Sequence, residues 1–92
     1  MARFKQVRCK LDLVYDENDE LLEDANFTLQ VPISRGETVE QILPKIKEMV
    51  KQKINISDEE YQYCKLYKGN GPEFDDPTSS IEKYSFLVYR YD

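Results

Sequence analysis

Few residues in this sequence could do chemistry. Histidine is absent, which removes the usual general base and the commonest zinc ligand. Cys9 and Cys64 are the only thiols, and two cysteines without histidine rarely form a metal site. We therefore predict that both cysteines are free, buried and reduced. Reduced thiols favour an intracellular location, cytoplasmic or nuclear.

Two short patterns look like functional motifs but are better explained as loop. Asp75 and Asp76 are adjacent acids in a stretch rich in turn residues, and we interpret them as solvated charge. Gly69 and Gly71 have the spacing of a phosphate-binding loop. However, an acidic stretch that starts at Glu73 follows them, where such a loop needs a helix N-terminus. We predict no catalytic residue, no metal and no cofactor for this domain.

Length and composition indicate one soluble domain. The chain has 92 residues, of which 40% are hydrophobic, enough for one helix packed on one sheet. No apolar run approaches the ~18 residues of a transmembrane helix, and we expect no membrane contact. The net charge of −5 disfavours binding of nucleic acid.

Charge is unevenly distributed near the start of the chain. A basic segment runs into acidic residues that extend from residue 12 to residue 24, of which residues 16–24 are predicted to be an acidic loop. This loop carries Leu21 and Leu22, which we expect to fold back onto the sheet edge, with a docking role as the alternative. The basic residues before it are Arg3, Lys5, Arg8 and Lys10.

Residues 38–53 are the segment with a clear helical period. The aliphatic residues recur at spacings of three and four, so they share one face of a helix. Thr38 followed by Gln41 has the pattern of a capping box. Pro44 lacks an N–H, and we expect it to bend the helix locally or to tighten its first turn. The aliphatic face consists of Val39, Ile42, Leu43, Ile46, Met49 and Val50.

Four segments are predicted to be strands. Residues 7–15 and 26–33 alternate between apolar and polar, and Pro32 favours an edge position for the second. Residues 61–68 and 85–92 are predicted to be the third and fourth strands. The inward side chains of these last two are expected to be Cys64, Leu66, Leu87 and Tyr89.

The predicted elements give an α+β domain of order ββαββ. The first and last strands are expected to lie side by side and parallel in the middle of the sheet, with the helix across one face. Between the helix and the third strand, Ser57 followed by Glu60 is a second capping pattern, which predicts one short helical turn.

Two segments are similar in sequence to one fold family. TVEQILPKIK (residues 38–47) resembles the start of the ubiquitin helix, with a threonine cap and aliphatic residues three and seven positions after the first. IEKYSFLVYR (residues 81–90) resembles the last turn and strand of ubiquitin. The resemblance covers most of the chain. It implies the β-grasp fold, a four-stranded mixed sheet with one helix packed on one face.

The resemblance is to ubiquitin-like domains that are not conjugated to other proteins. Residues 90–92 lack the Gly-Gly that conjugating members need, and the first hairpin loop is long and acidic where ubiquitin has a short turn. The sequence ISDEEY at residues 56–61, before an aromatic-rich strand, looks most like domains in the tails of large ubiquitin-specific proteases. This implies that residues 1–92 are one domain of a larger protein. Its function would be docking, or regulation of a deubiquitinating catalytic domain.

The outward face of the predicted sheet is the candidate partner-binding site. It gathers basic and aromatic side chains, which are enriched at interface centres, on an acidic protein. We expect it to contact a protein, either another domain of the same chain, a substrate protein or a small GTPase. The candidate residues are Arg8, Lys10, Tyr63, Lys65, Tyr67, Phe86, Val88 and Arg90.

Two other functions remain as alternatives. A Ras-association-like domain shares this fold and commonly pairs an edge strand with a small GTPase. The predicted edge strand offers Thr28 and Gln30, but the neighbouring acidic segment would repel an acidic switch region. A purely structural role as a spacer between domains is the second alternative.

Overall fold

The structure is a computed structural model of the chain, and it describes residues 3–11, 18, 26–54 and 57–91. Most of the acidic segment, including Leu21 and Leu22, lies outside the described residues, so the predictions for those two leucines stay predictions. In chain order, the described elements are β1 (Arg3–Lys10), β2 (Asn26–Ile33), α1 (Val39–Lys53), α2 (Asp58–Tyr61), β3 (Cys64–Tyr67) and β4 (Phe86–Tyr91).

The four described strands form one mixed sheet of order β2-β1-β4-β3. β1 and β4 are parallel neighbours in the centre, and each pairs antiparallel with an edge strand. This confirms the predicted central pair and the predicted edge position of the strand that carries Pro32. Along the chain, the order differs from ββαββ by the short helix α2. The described part is thus a small α+β structure with one main helix.

Helix α1 forms where its aliphatic period predicts it. Four residues of the predicted face are buried in the core: Val39, Ile42, Ile46 and Val50. The Gln41 side chain accepts a hydrogen bond from the Thr38 N–H at 3.0 Å, as in a capping box. Pro44 does not interrupt the helix. The first turn contains one hydrogen bond that spans three residues, from the Gln41 N–H to the Thr38 carbonyl at 3.1 Å, which tightens that turn.

The start of α1 is capped by the loop that precedes β4. The first N–H groups of an α-helix have no partner within the helix and need acceptors from elsewhere. Val39 N–H donates to the carbonyl of Ser79 at 3.0 Å, and Glu40 N–H donates to that of Pro77 at 2.9 Å. In return, Ile81 N–H donates to the carbonyl of Glu37 at 3.0 Å. These bonds fix the approach to β4 against the helix.

Among the described residues, two charged side chains are buried, and each holds a turn in place. Lys5 lies on the core side of β1, where its ammonium donates to the carbonyls of Glu82 and Tyr84. Burial lowers the pKa of Lys5 because desolvation opposes the charged form. Glu37 is only 3% exposed and pairs with the ammonium of Lys45 at 2.6 Å. Both groups are therefore paired or hydrogen-bonded, as buried charges require.

Helix α2 is a single turn attached to α1. The Ser57 hydroxyl accepts from the Glu60 N–H, so the second capping pattern forms as predicted. The Asp58 carboxylate lies 3.1 Å from the ammonium of Lys51, which lowers the pKa of Asp58. Tyr61, the last residue of this turn, is buried. Within the described residues, neither helix is long and apolar enough to cross a membrane.

The core lies between α1 and the inner side of the sheet. As predicted, Leu66, Leu87 and Tyr89 are buried there, and Cys64 packs partly buried against it. The loops also contribute to the core, because Ile81 is fully buried and Phe74 is 8% exposed.

Truncation of Ile46 tests the buried face of α1. Ile46 is fully buried, and Ile46→Ala should lower the free energy of unfolding by about 2–5 kcal/mol. Gln52→Ala on the exposed side of the same helix is the control and should change it by less than about 0.5 kcal/mol. Urea unfolding of both variants beside the parent measures the difference. Equal losses would mean that the helix face is wrongly assigned.

The two cysteines should titrate as free thiols. β4 lies between their strands and Cys64 is two residues out of register with Cys9, so their Cα atoms are more than roughly 9–10 Å apart, beyond the ~7 Å limit of a disulfide. Burial raises the pKa of Cys9 to about 12, so it should react more slowly than Cys64 in the native protein. Thiol counting should give two per chain after denaturation. Cys64→Ser should remove the faster phase of the native reaction, and a count of none would contradict the strand order.

Candidate partner-binding face

Most of the predicted binding residues lie on the side of the sheet opposite α1. Side chains alternate along a strand, so Lys5, Val7 and Cys9 face the core while their even-numbered neighbours face outward. The same alternation applies to β3 and β4. Seven of the eight predicted residues therefore occupy this outward face: Arg8, Lys10, Lys65, Tyr67, Phe86, Val88 and Arg90.

Tyr63 is the predicted residue that the structure places elsewhere. Residues 61–63, predicted as the start of the third strand, instead end α2 and form the turn after it. The ring of Tyr63 lies 6.1 Å, centroid to centroid, from that of Tyr91, which packs against the core. The helical turn that begins at the Ser57 cap extends to Tyr61, so residues 61–63 cannot belong to a strand. The alternation of residues 61–68 does not indicate this.

The strand register arranges the outward side chains in rows across the sheet. In the middle row, Arg8 pairs with Val88, and Val88 pairs with Tyr67. The covered Val88 is only 9% exposed, so it forms the floor of this face. In the next row, Lys10 pairs with Arg90, and Arg90 pairs with Lys65. Three cations thus stand side by side on three neighbouring strands.

Both arginines of the outward face stack on aromatic rings. The guanidinium carbon of Arg8 lies 3.9 Å from the ring centroid of Phe86, and that of Arg90 lies 4.7 Å from that of Tyr67. Such contacts are favourable cation–π interactions. They also hold the flexible arginine side chains against the sheet, which reduces the entropy that a ligand would have to remove.

These residues line a shallow cavity of about 190 Å³, which we call the basic groove. The loop 69–71 closes it on one side. Gly69 has a φ of +52°, and a Cβ there would lie 3.0 Å from the carbonyl oxygen of Phe86, so glycine allows this close approach. Lys65 lies beside the groove without lining it. The lining residues are Arg8, Lys10, Tyr67, Gly69, Asn70, Gly71, Phe86, Val88 and Arg90.

Sequence reasoning missed two parts of this face. The turn residues predict only a loop at residues 69–71, because no local pattern shows that it folds back onto Phe86. Phe4 is 57% exposed and occupies the outward face of β1, opposite Pro32 on β2. No sequence pattern reveals the position of Phe4, because extending the alternation back from Val7 puts the charged Lys5 on the core side.

The charge of the basic groove is of one sign. Its lining contains Arg8, Lys10 and Arg90 and no acidic residue, although the whole chain has a net charge of −5. Like charges directly opposite each other in a sheet are destabilising. The row of Lys10, Arg90 and Lys65 concentrates positive charge on this face, which favours the binding of an anion.

Three buried groups that could act as nucleophiles have raised pKa values. Burial raises the pKa of Tyr61 to about 12, raises that of Tyr89 further, and raises that of Cys9 to about 12. All three groups keep their protons at neutral pH, which is the opposite of activation. Among the described residues, no group of three potential metal ligands comes together. What the outward face can do chemically is bind anions and apolar groups.

A second groove, of about 680 Å³, lies between α1 and α2. Leu43 and Pro44 line it from α1, and Tyr61 and Tyr89 line it from the other side. It also contains Lys47 beside Asp58, so its charges are mixed. It therefore lacks the uniform charge of the basic groove.

Comparison of this chain with protein-family models, curated proteins and solved structures finds no match.

Reversal of one charge in the cation row should stabilise the domain. Lys65→Glu places a carboxylate opposite Arg90, so the free energy of unfolding should rise by about 0.2–1 kcal/mol. Lys83→Glu makes the same charge change at an exposed position away from the sheet and is the control. Urea unfolding at low salt measures both. If Lys65→Glu were no more stable than Lys83→Glu, the row would not be repulsive.

Proposed function

We propose that this chain is a non-catalytic ubiquitin-like module of the β-grasp type that binds a protein partner through its outward sheet face. The observation that carries the proposal is the basic groove, where cations and aromatic rings converge on an otherwise acidic protein. Arginine and aromatic residues are enriched at the energetic centres of protein interfaces. An ordinary solvent-exposed sheet face needs neither the groove nor a single sign of charge.

The β-grasp assignment is supported by topology and by sequence. β1 and β4 form a central parallel pair, and each also pairs antiparallel with one edge strand. One main helix connects the two antiparallel pairs along the chain, as the resemblance to ubiquitin implies. The sequence at residues 38–47 and 81–90 supports the same assignment. The described residues at these positions form the cap and start of α1, the approach to β4 and most of β4 itself.

A docking or regulatory role within a larger deubiquitinating enzyme is the more specific form of the proposal. It is supported by the resemblance of ISDEEY, at residues 56–61, to domains in the tails of ubiquitin-specific proteases. The catalytic residues of the enzyme would then lie in another domain. This fits a chain without histidine whose Cys9 thiol stays protonated at neutral pH.

A Ras-association-like domain is the second candidate function, and the position of β2 favours it. β2 is an edge strand, and Thr28 and Gln30 are at least partly exposed on its outward side. Edge strands can pair with a strand of a partner. This function would place the partner beside β2, whereas the proposed function places it over β1 and β4. The two functions therefore predict different contact surfaces.

Variants of the outward face test the proposed function. Arg90→Glu should slow association, because it reverses a charge in the basic groove. Phe86→Ala should speed dissociation, because it removes an apolar anchor. In a pull-down from lysate, a partner held by the parent should be lost by both variants and kept by Lys83→Glu. Binding should also weaken with salt, since the Debye length is only about 10 Å at 0.1 M.

The controls separate loss of binding from loss of fold. Each variant is first compared with the parent by thermal unfolding and by its amide spectrum. If Phe86→Ala unfolds, Arg90→Glu alone decides the outcome. A partner retained by every folded variant would contradict the proposed surface. Shifted amides confined to β2 on addition of that partner would favour the Ras-association-like function.

A further inference from the structure

The cations of the basic groove have the repeat of an extended chain. Arg8 and Lys10 are two residues apart on β1 and face the same side, which separates their Cα atoms by about 6.6 Å. The side chains of an extended peptide repeat on one face at the same distance. A peptide that lies along β1 can therefore present one acidic side chain to Arg8 and a second to Lys10.

The Arg8 guanidinium is oriented to accept such a ligand. Its face is stacked on the Phe86 ring, which leaves the N–H groups at its edge directed away from the ring. Among the described residues, Arg8 donates no hydrogen bond and forms no salt bridge. A carboxylate can take two of these N–H groups at once, the arrangement that arginine favours.

The other end of the groove is suited to an apolar group. Two residues before Val88 on β4, the ring of Phe86 lies beside the loop 69–71, and a Cβ on Gly69 would be 3.7 Å from that ring. Phe4 extends the apolar surface on the same outward side of the sheet. In a peptide parallel to β1, a side chain two residues before the acidic pair would lie over this end, because Gln6, which pairs with Phe86, is two residues before Arg8.

The size and charge of the groove exclude two other kinds of ligand. At about 190 Å³ it is smaller than the ~300–1,000 Å³ typical of pockets for cofactors and drug-sized molecules. A nucleic acid would carry many phosphates past the rest of the chain, whose net charge is −5, and would be repelled. A short acidic segment meets the cations without that cost.

We propose that the basic groove binds an extended acidic segment of a protein partner, with two carboxylates two residues apart and an apolar side chain two residues before them. The inference rests on the proposed function and specifies the chemistry of the partner. The carboxylates lie on Arg8 and Lys10, with Arg90 beside them, and the apolar side chain lies on Phe86.

Two synthetic peptides of equal charge and composition test the spacing. FSESES carries its phenylalanine and two glutamates on one face of an extended chain, whereas FSEESS directs the two glutamates to opposite faces. Titration of the isotope-labelled domain should shift the amides of β1, β4 and the loop 69–71 with FSESES. FSEESS should bind at least about fivefold more weakly. Equal affinity of the two peptides would overturn the proposal.

Variants of the domain test the assigned contacts. Arg8→Glu and Lys10→Glu should each weaken FSESES binding at least about tenfold, while Lys83→Glu should leave it unchanged. Lys10 is exposed at the end of β1, so its variant keeps the test open if Arg8→Glu fails to fold. Unchanged binding to the folded Lys10→Glu variant would overturn the contact assigned to Lys10.

Two further measurements identify other occupants. A peptide with phosphoserine in place of both glutamates supplies the same kind of anion. If it alone shifted the groove, the carboxylate assignment would be wrong. Sedimentation of the domain at rising concentration tests a second copy as the occupant, and a dimer abolished by Arg8→Glu would overturn the proposal. If FSESES fails while a cellular partner still depends on Phe86 and Arg90, the proposed function survives and this inference does not.

Discussion

The parallel pairing of β1 with β4 is the constraint on which the rest of the structure depends. It joins a strand near the start of the chain to one near its end, so the residues between them must cross over one face of the sheet. The same register puts Val7 beside Leu87 in the core and Arg8 beside Val88 on the outward face. A slip of one residue would exchange the two faces of β4. Core and basic groove are therefore specified by one set of backbone bonds.

Buried polar groups outside the β1–β4 pair also stabilise its register. The loop before β4 caps the start of α1, and Ile81 beside it is fully buried. Lys5, from β1, donates to the carbonyls of Glu82 and Tyr84 just before β4 begins. A buried donor left without its acceptor costs about 1–3 kcal/mol, so a displaced β4 would be penalised at several points. The helix, the loop and the sheet thus position the groove together.

The sequence predicts the parts of this fold that local periodicity controls. The aliphatic repeat and Thr38 define α1, and alternation defines the inward sides of β3 and β4. It fails where a long-range contact decides. Lys5 is buried because carbonyls about 80 residues away accept from it. Tyr63 is a local failure: the helical turn that starts at Ser57 extends to residue 61, which the alternation of residues 61–68 does not indicate. The closing of the groove by Gly69 is equally invisible in the local sequence.

The outward face breaks a rule that the core face obeys. In the core, each strand pair brings apolar groups together, as for Val7 with Leu87. Outside, Lys10, Arg90 and Lys65 stand in one row, although 18 acidic residues elsewhere in the chain could have provided opposite charges. A sequence shaped by stability alone would alternate these signs. Local conflicts of this kind, in which a sequence brings like charges together, are expected at functional sites.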